Sequence, residues 1–268
     1  MTGRSHKAQA LASLGDLMTR RWLPAPRSPD VSAEHDGRPY LLWLPPSPPP
    51  WPGMVIVHGA GSQKSNHADF ARACAANGWA ALAYDQRGHG DSSDEMSPSA
   101  VADVARMARL LAAQDGVDPE CICVRGSSMG GFIAIHAAAT SGAIAGVIAI
   151  CPAGEEHLLR GLRRQTLKIR AGEQARADLA AWLEEHDLRD AVELMGAKPL
   201  MLIHAAGDER IPSEFSAQLY DRAAEPRKLV LLPGGHHRSA QHDSELQGMA
   251  LRWMTRALDG LEGRPTAR

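Results

Sequence analysis

Residues 121–131 read CICVRGSSMGG, and this stretch decides the fold. CICV is a short, unbroken apolar run, the pattern of a strand buried on both faces. Gly126-Ser127-Ser128-Met129-Gly130 follows at once and fits G-x-S-x-G, and GGFIAIHAAAT (130–140) continues as an apolar helix. A strand that enters a helix through so sharp a turn projects one hydroxyl from the sheet edge, and flanking glycines relieve the crowding there. Ser128 holds the middle position, whereas Ser127 sits at an x position and is not held in the turn. Five residues alone carry little weight in a chain with 25 glycines. The strand before them and the helix after them supply the required context.

The same rhythm extends outward in both directions. Upstream lie the apolar run MVIVHG (54–59), a helical stretch at 67–78, the strand WAALAYD (79–85) and a helix at 99–114. Downstream come AIAGVIAICP (143–152), PLMLIHAAGD (199–208), a helix near 213–224, KLVLLPGG (228–235) and a last helix at 243–260. Strands alternating with helices predict an α/β fold with a mostly parallel central sheet flanked by helices. RPYLLWLPP (38–46) reads as a further strand. The proline-rich PPSPPPWPG (45–53) then reads as a stiff turn outside the sheet interior, because Pro cannot donate to a ladder. Residues 153–197 break the rhythm with charged helical stretches and no strand. A helical lid insertion is expected there, since long inserts in compact domains are usually functional, with a long crossover as the alternative. The organisation predicted is one domain with its core at about 38–152 and 198–268, a cap at 153–197, and an extension over 1–37 containing a helix at 7–22.

Composition narrows the function classes. The 268 residues are 44% hydrophobic and 22% charged, with a formal net charge of −2 and a pI near 6.6. Such a balance predicts no nucleic-acid partner and no strong steering of an anionic substrate. Aromatics, at 4%, are too few for a base-stacking platform. The four cysteines lie in no metal-finger spacing and read as small buried hydrophobes. No run approaches 18 apolar residues and no secretory h-region is present, so no membrane span is expected and a cytoplasmic location is the default. Oligomeric state is open.

A serine hydroxyl is barely nucleophilic unless a base takes its proton and a carboxylate orients that base. On a strand-turn-helix scaffold the chain order is Ser, then Asp or Glu, then His. Asp208 follows the apolar strand PLMLI, and KLVLL runs into Pro233-Gly234-Gly235-His236-His237. Both candidates therefore fall in loops after the C-terminal ends of strands, where sites form in parallel sheets. Either His236 or His237 fits as the base, with His242 more remote. Glu155 and Glu156, just beyond the strand ending at Cys151, are alternative acids. The histidines match no H-E-x-x-H or comparable ligand spacing, so no metal is expected.

Several motifs together resemble the α/β-hydrolase superfamily, nearest to its dienelactone-hydrolase-like and small-esterase branches, over roughly 38–152 and 198–258. They are His58-Gly59-Ala60-Gly61, the loop from Asp85 to Ser92 (DQRGHGDS), the turn GSSMGG, GDERIP and GGHHR. The resemblance implies a serine hydrolase that cleaves an acyl bond, a carboxylic ester first, through Ser128, Asp208 and His237. His237, followed by Arg238, is favoured over His236 as base. The resemblance further implies an oxyanion hole made by the backbone N–H groups of Ala60 and Met129, a small-molecule acyl substrate and no cofactor. His58 is implied to be structural and His89 to shape the rim. A serine at 128, rather than Cys or Asp, argues against dienelactone, dehalogenase and epoxide chemistry. Thioesterase, amidase or peptidase activity would use the same triad, and a binding protein that kept only the shell is the non-enzyme rival.

Overall fold

The computed structural model describes residues 26–262, so the helix expected at 7–22 lies outside the described residues. The strands are β1 (Val31–His35), β2 (Arg38–Trp43), β3 (Trp51–Val57), β4 (Ala80–Tyr84), β5 (Val117–Ser127), β6 (Gly146–Ile150), β7 (Leu200–Ala205) and β8 (Arg227–Leu232). They form one sheet in the order β1-β2-β4-β3-β5-β6-β7-β8. β2 is antiparallel to both neighbours, and the strands from β3 to β8 run parallel. The helices are α1 (Ala68–Ala76), α2 (Ala100–Ala112), α3 (Met129–Thr140), α4 (Glu155–Arg163), α5 (Glu173–Glu184), α6 (Leu188–Leu194), α7 (Ser213–Arg222) and α8 (Ser244–Glu262).

Side chains alternate across each strand, so a continuous apolar run feeds two cores at once. In β3, Met54 and Ile56 face α1 and α8, where Phe70, Cys74, Leu251 and Met254 complete one core. Val55 and Val57 face the other side, packing with Val104, Met107 and Leu111 of α2 and Phe132 and Ile133 of α3. Each fully buried aliphatic chain of this size contributes about 1.5 to 3 kcal/mol. The site-bearing turn after β5 is thus the edge of a sheet clamped from both faces.

Three local features depart from the sequence reading. β1 lies within the segment read as an extension. Its run VSAEH is polar and mostly exposed, so it gives no apolar signal, yet it pairs along its length with β2. The turn between them is Asp36-Gly37, both at positive φ (49° and 73°), which is the tight hairpin geometry that Asp-Gly favours. β3 begins at Trp51 instead of Met54 and so includes Pro52. Trp51 pairs with Val117 and Gly53 with Ile122, which leaves Pro52 and Pro119 in an irregularity of the ladder where no N–H is required. β2 and β3 are also separated by β4, so the proline-rich stretch is a crossing between non-adjacent strands.

The loop from Asp85 to Ser92 is held by buried charge. Asp85 accepts from the backbone N and Nζ of Lys64 and from Asp91 N. Arg87 reaches Asp103 on α2, and the same carboxylate receives Arg38 of β2 and Arg106. One buried acid therefore joins β2, α2 and the loop.

Residues 153–197 form α4, α5 and α6 and contain no strand. Trp182 of α5 packs edge-on against Phe132 at 5.7 Å and His136 at 5.4 Å, which docks this half of the insertion onto α3. Arg170 donates to the carbonyls of Gly90 and Ser92, and its backbone N to Gly88, pinning the segment to the Asp85–Ser92 loop. No helix of the described residues is long and apolar enough to cross a membrane.

Candidate active site

Ser128 sits between β5 and α3 with φ 53° and ψ −120°, a strained backbone for a residue with a Cβ. The surroundings hold it there: Ser128 N donates to Ile150 O, and Ser128 O accepts from Gly131, Phe132 and Ala153 N–H groups. The flanking glycines are required by contact. A Cβ on Gly126 would stand 2.2 Å from Gly130 O, and one on Gly130 would stand 2.2 Å from Val57 O. No side chain fits at either position, so the turn closes only with glycine at both. The Ser128 hydroxyl makes no hydrogen bond to another described residue. Such bonds commonly tighten only when substrate is present.

Asp208 and His237 meet. Asp208 Oδ2 accepts from His237 Nδ1 at 2.7 Å, and since a carboxylate can only accept, Nδ1 carries a proton and Nε2 is the nitrogen turned away from the carboxylate. Asp208 Oδ1 accepts from the backbone N–H groups of Arg210 and Ile211. Burial opposes the charged carboxylate. The hydrogen bonds from His204, His237 and the two backbone donors outweigh it and hold the carboxyl well below the usual range. His237 N also donates to Glu209. Ser128 and His237 line one cleft of about 730 Å³ together with Ala60. Neither Ala60 N nor Met129 N has a hydrogen-bond partner among the described residues, so both donors are free.

The other sequence candidates lie elsewhere. His236 is exposed, and its Nδ1 accepts from Arg238 N, away from Asp208. His242 pairs with Asp69 at 2.8 Å. Glu155 accepts from Leu188 N and so braces α6. His58 is buried behind the cleft: Nε2 accepts from Gln86 N, Nδ1 donates to Gly59 O, and burial lowers its pKa to about 4. His89 packs edge-on to His58 at 5.0 Å and does not line the cleft, so it supports the loop from behind instead of shaping the rim.

Sequence reasoning missed His204. Its Nε2 faces two acceptors, Ile211 O at 3.0 Å and Asp208 Oδ2 at 3.2 Å, and its Nδ1 accepts from the Ser216 hydroxyl at 2.7 Å. The available signal was a histidine inside an apolar strand, four residues before an aspartate.

Cys151, Asp208 and His237 place potential ligand atoms within 4.8 Å of one another. Burial pushes the Cys151 thiol up to about 12, and the hydrogen bond between Asp208 and His237 already occupies one oxygen and one nitrogen. A metal would have to deprotonate the thiol and break that bond. This donor set fits a hydrogen-bonded relay better than a metal centre.

One wall of the cleft comes from residues 153–168 of the insertion, including Leu158, Arg160 and Leu167. Leu158 and Leu167 also line a small apolar slot beside Met129, Phe132 and Trp182. Leu162, another apolar residue of the insertion, is buried in the core and lines neither space.

Known proteins resemble this chain to different depths. The model of the family described as serine aminopeptidase, S33 matches residues 49–192, more than half of the chain. An uncharacterised protein of Mycobacterium tuberculosis is 28% identical over 189 residues, covering 69% of this chain and 63% of the relative. The quorum-quenching protein AidA of Acinetobacter baumannii is 29% identical over 208 residues, or 72% of this chain and 60% of its own. The chain thus spans somewhat under two thirds of the curated relatives it matches. Among solved structures, ferulic-acid-bound Est1E from Butyrivibrio proteoclasticus superposes with a TM-score of 0.70 at 22% identity, covering 85% of this chain and 99% of that one. A monoacylglycerol lipase from Paleococcus ferrophilus gives 0.64 at 19%, covering 81% and 98%. At such identities the structures attest to the fold alone.

Proposed function

Because the chain belongs to the serine aminopeptidase S33 family of α/β hydrolases, we propose that it is a serine hydrolase that cleaves a carboxylic ester through Ser128, His237 and Asp208. The observation that carries this reading is the bond from His237 Nδ1 to Asp208, made beside the cleft that Ser128 also lines. It assigns the Nδ1 proton to the Asp208 side and leaves Nε2 as the ring nitrogen that can serve as a base.

In the proposed reaction Ser128 Oγ attacks the acyl carbonyl while His237 Nε2 takes its proton. Asp208 fixes the tautomer and stabilises the imidazolium. The oxyanion lies between the free N–H groups of Met129 and Ala60, each worth roughly 3 to 4 kcal/mol to the transition state. His237 then returns the proton to the departing alcohol, and a water deprotonated by the same ring attacks the acyl-enzyme and releases the acid and Ser128.

An ester is favoured over an aminopeptide by the lining of the cleft. A free α-amine is recognised by a carboxylate, and among the described residues the carboxylates near Ser128's cleft, Glu155, Glu156 and Glu209, border a neighbouring cavity instead of lining the cleft itself. Thioesters remain within reach of the same chemistry. The test is hydrolysis of a panel of p-nitrophenyl esters beside amino-acid p-nitroanilides. Ester turnover that falls at least about 10⁴-fold in Ser128→Ala is expected. Turnover that survives this substitution, or turnover of the anilides alone, would overturn the reading.

A further inference from the structure

Resting on the hydrolase reading above, we propose that the substrate carries an anionic group, phosphate or carboxylate, held in the cleft by Arg160, Arg164, Lys168, Arg210 and Arg238. These five cations line the cleft and no Asp or Glu does among the described residues, although Arg160 and Arg210 also border a neighbouring cavity lined by Glu155, Glu156, Asp208, Glu209 and Glu214. The chain as a whole is slightly acidic, with 31 acidic against 29 basic residues, so this one-sided lining is local.

The cations converge from three separate segments. Arg160 lies on α4, Arg164 caps it and Lys168 follows; Arg210 is two residues beyond Asp208 and Arg238 is next to His237. Arg160 and Arg164 are four apart and so share a helix face. Like charges at this spacing destabilise a helix. Arg163, which does not line the cleft, has Glu184 at 2.7 Å. Arg160, Arg164, Lys168 and Arg238 have no carboxylate within 4 Å among the described residues, and Arg210 has only the exposed Glu209 at 3.6 Å. Many cations elsewhere are paired: Arg38, Arg87 and Arg106 share Asp103, Lys64 holds Asp85 and Asp91, and Arg222 meets Glu193. Arg72, Arg109 and Lys228 also lack a carboxylate within 4 Å among the described residues, singly on α1, α2 and β8, as do Arg252 and Arg256, four apart on α8; none of these five lines the cleft.

A solvated surface of ordinary composition mixes signs. A cleft of one sign focuses the field and concentrates counter-ions, and arginine forks match the paired oxygens of carboxylate and phosphate. The apolar slot beside Met129 holds only about 20 Å³, room for a water-sized group, against about 730 Å³ in the cationic cleft. The space around Ser128 therefore suits a substrate whose apolar part is compact and whose bulk is polar and anionic.

Two matched pairs of substrates test the inference and distinguish the source of the anion. Acetyl-coenzyme A against S-acetylpantetheine places phosphates on the leaving side; p-nitrophenyl hemisuccinate against p-nitrophenyl valerate places a carboxylate on the acyl side. In at least one pair the anionic member should have a kcat/KM about tenfold or more above its neutral partner at low salt. That ratio should fall toward one in about 0.3 M NaCl and in Arg160→Gln/Arg164→Gln/Lys168→Gln, whose melting temperature checks the fold. Ratios near or below one in both pairs, or ratios unchanged in the triple variant, would overturn the proposal. If none of the four substrates is turned over, binding of inorganic pyrophosphate to the full chain decides. Saturable binding that weakens about tenfold in the triple variant supports the anion site while the hydrolase reading fails. Absent binding, or equal binding to both proteins, overturns the anion site as well.

Discussion

His204 Nε2 stands 3.2 Å from Asp208 Oδ2, the oxygen that also receives His237 Nδ1. The two imidazoles thus converge on one carboxylate oxygen, and the second ring sits inside β7, locked by Ser216. His204 does not line the cleft; it braces Asp208.

Replacing His204 with Leu removes one donor to a charged acceptor. Hydrogen bonds to charged groups are worth about 1.5 to 3 kcal/mol, so kcat should fall about 10- to 100-fold with KM little changed. His204→Gln, which retains a side-chain N–H near the same place, should recover much of the loss. Steady-state kinetics on both variants provide the measurement. A loss in KM instead, or no recovery with Gln, would make His204 a packing residue only.

Asp103 is expected to matter for stability. Its carboxylate, 1% exposed, serves Arg38, Arg87 and Arg106, and Arg38 is equally buried. Asp103→Ala leaves a buried guanidinium with its main partner gone, which costs about 3 to 5 kcal/mol. Urea unfolding would detect this as a lowered midpoint at unchanged slope. A cost below about 1 kcal/mol would mean that the network is solvated in solution.

Stability should fall between about pH 6.5 and pH 4. Burial lowers His58 and His136 to about 4, while in the unfolded chain both titrate near 6.5. Over this window the unfolded state binds protons that the folded state refuses, so acid favours unfolding. Each group contributes on the order of 2 to 3 kcal/mol that is present above pH 6.5 and lost as pH falls toward 4. His136→Leu should flatten the dependence of the unfolding free energy on pH across this range. An unchanged slope would show that His136 is hydrated or charged in the folded protein.

Gly130→Ala should prevent the turn from closing. The new Cβ would overlap the carbonyl oxygens of Val57 and His58, which belong to β3 and the loop after it. A destabilisation of more than about 2 kcal/mol or loss of soluble protein is expected, and differential scanning calorimetry reports it. A variant with the parent melting temperature would contradict the packing described.

The parts legible in sequence were those with a local signature. Ser128 lies between glycines after an apolar strand, and Asp208 and His237 follow apolar strands of their own, so type and spacing single them out as candidates, and the fold brings Asp208 and His237 into contact. His204 was hidden because it interrupts an apolar run, and its purpose depends on Ser216 and Ile211, which only the fold brings near. β1 was hidden by its polarity, although Asp36-Gly37 marks the hairpin. The cationic cleft was hidden by summation: acidic residues elsewhere cancel Arg160, Arg164, Lys168, Arg210 and Arg238 in the net charge. Composition records charge without its location.

The central claim is that Ser128 is an activated nucleophile. Folded protein treated with a fluorophosphonate probe, digested and read by mass spectrometry tests it most directly. A single stoichiometric adduct is expected on the peptide containing Ser128, lost after heat denaturation and strongly slowed in His237→Ala. No adduct on folded protein, or an adduct on Ser127 or another serine, would contradict it.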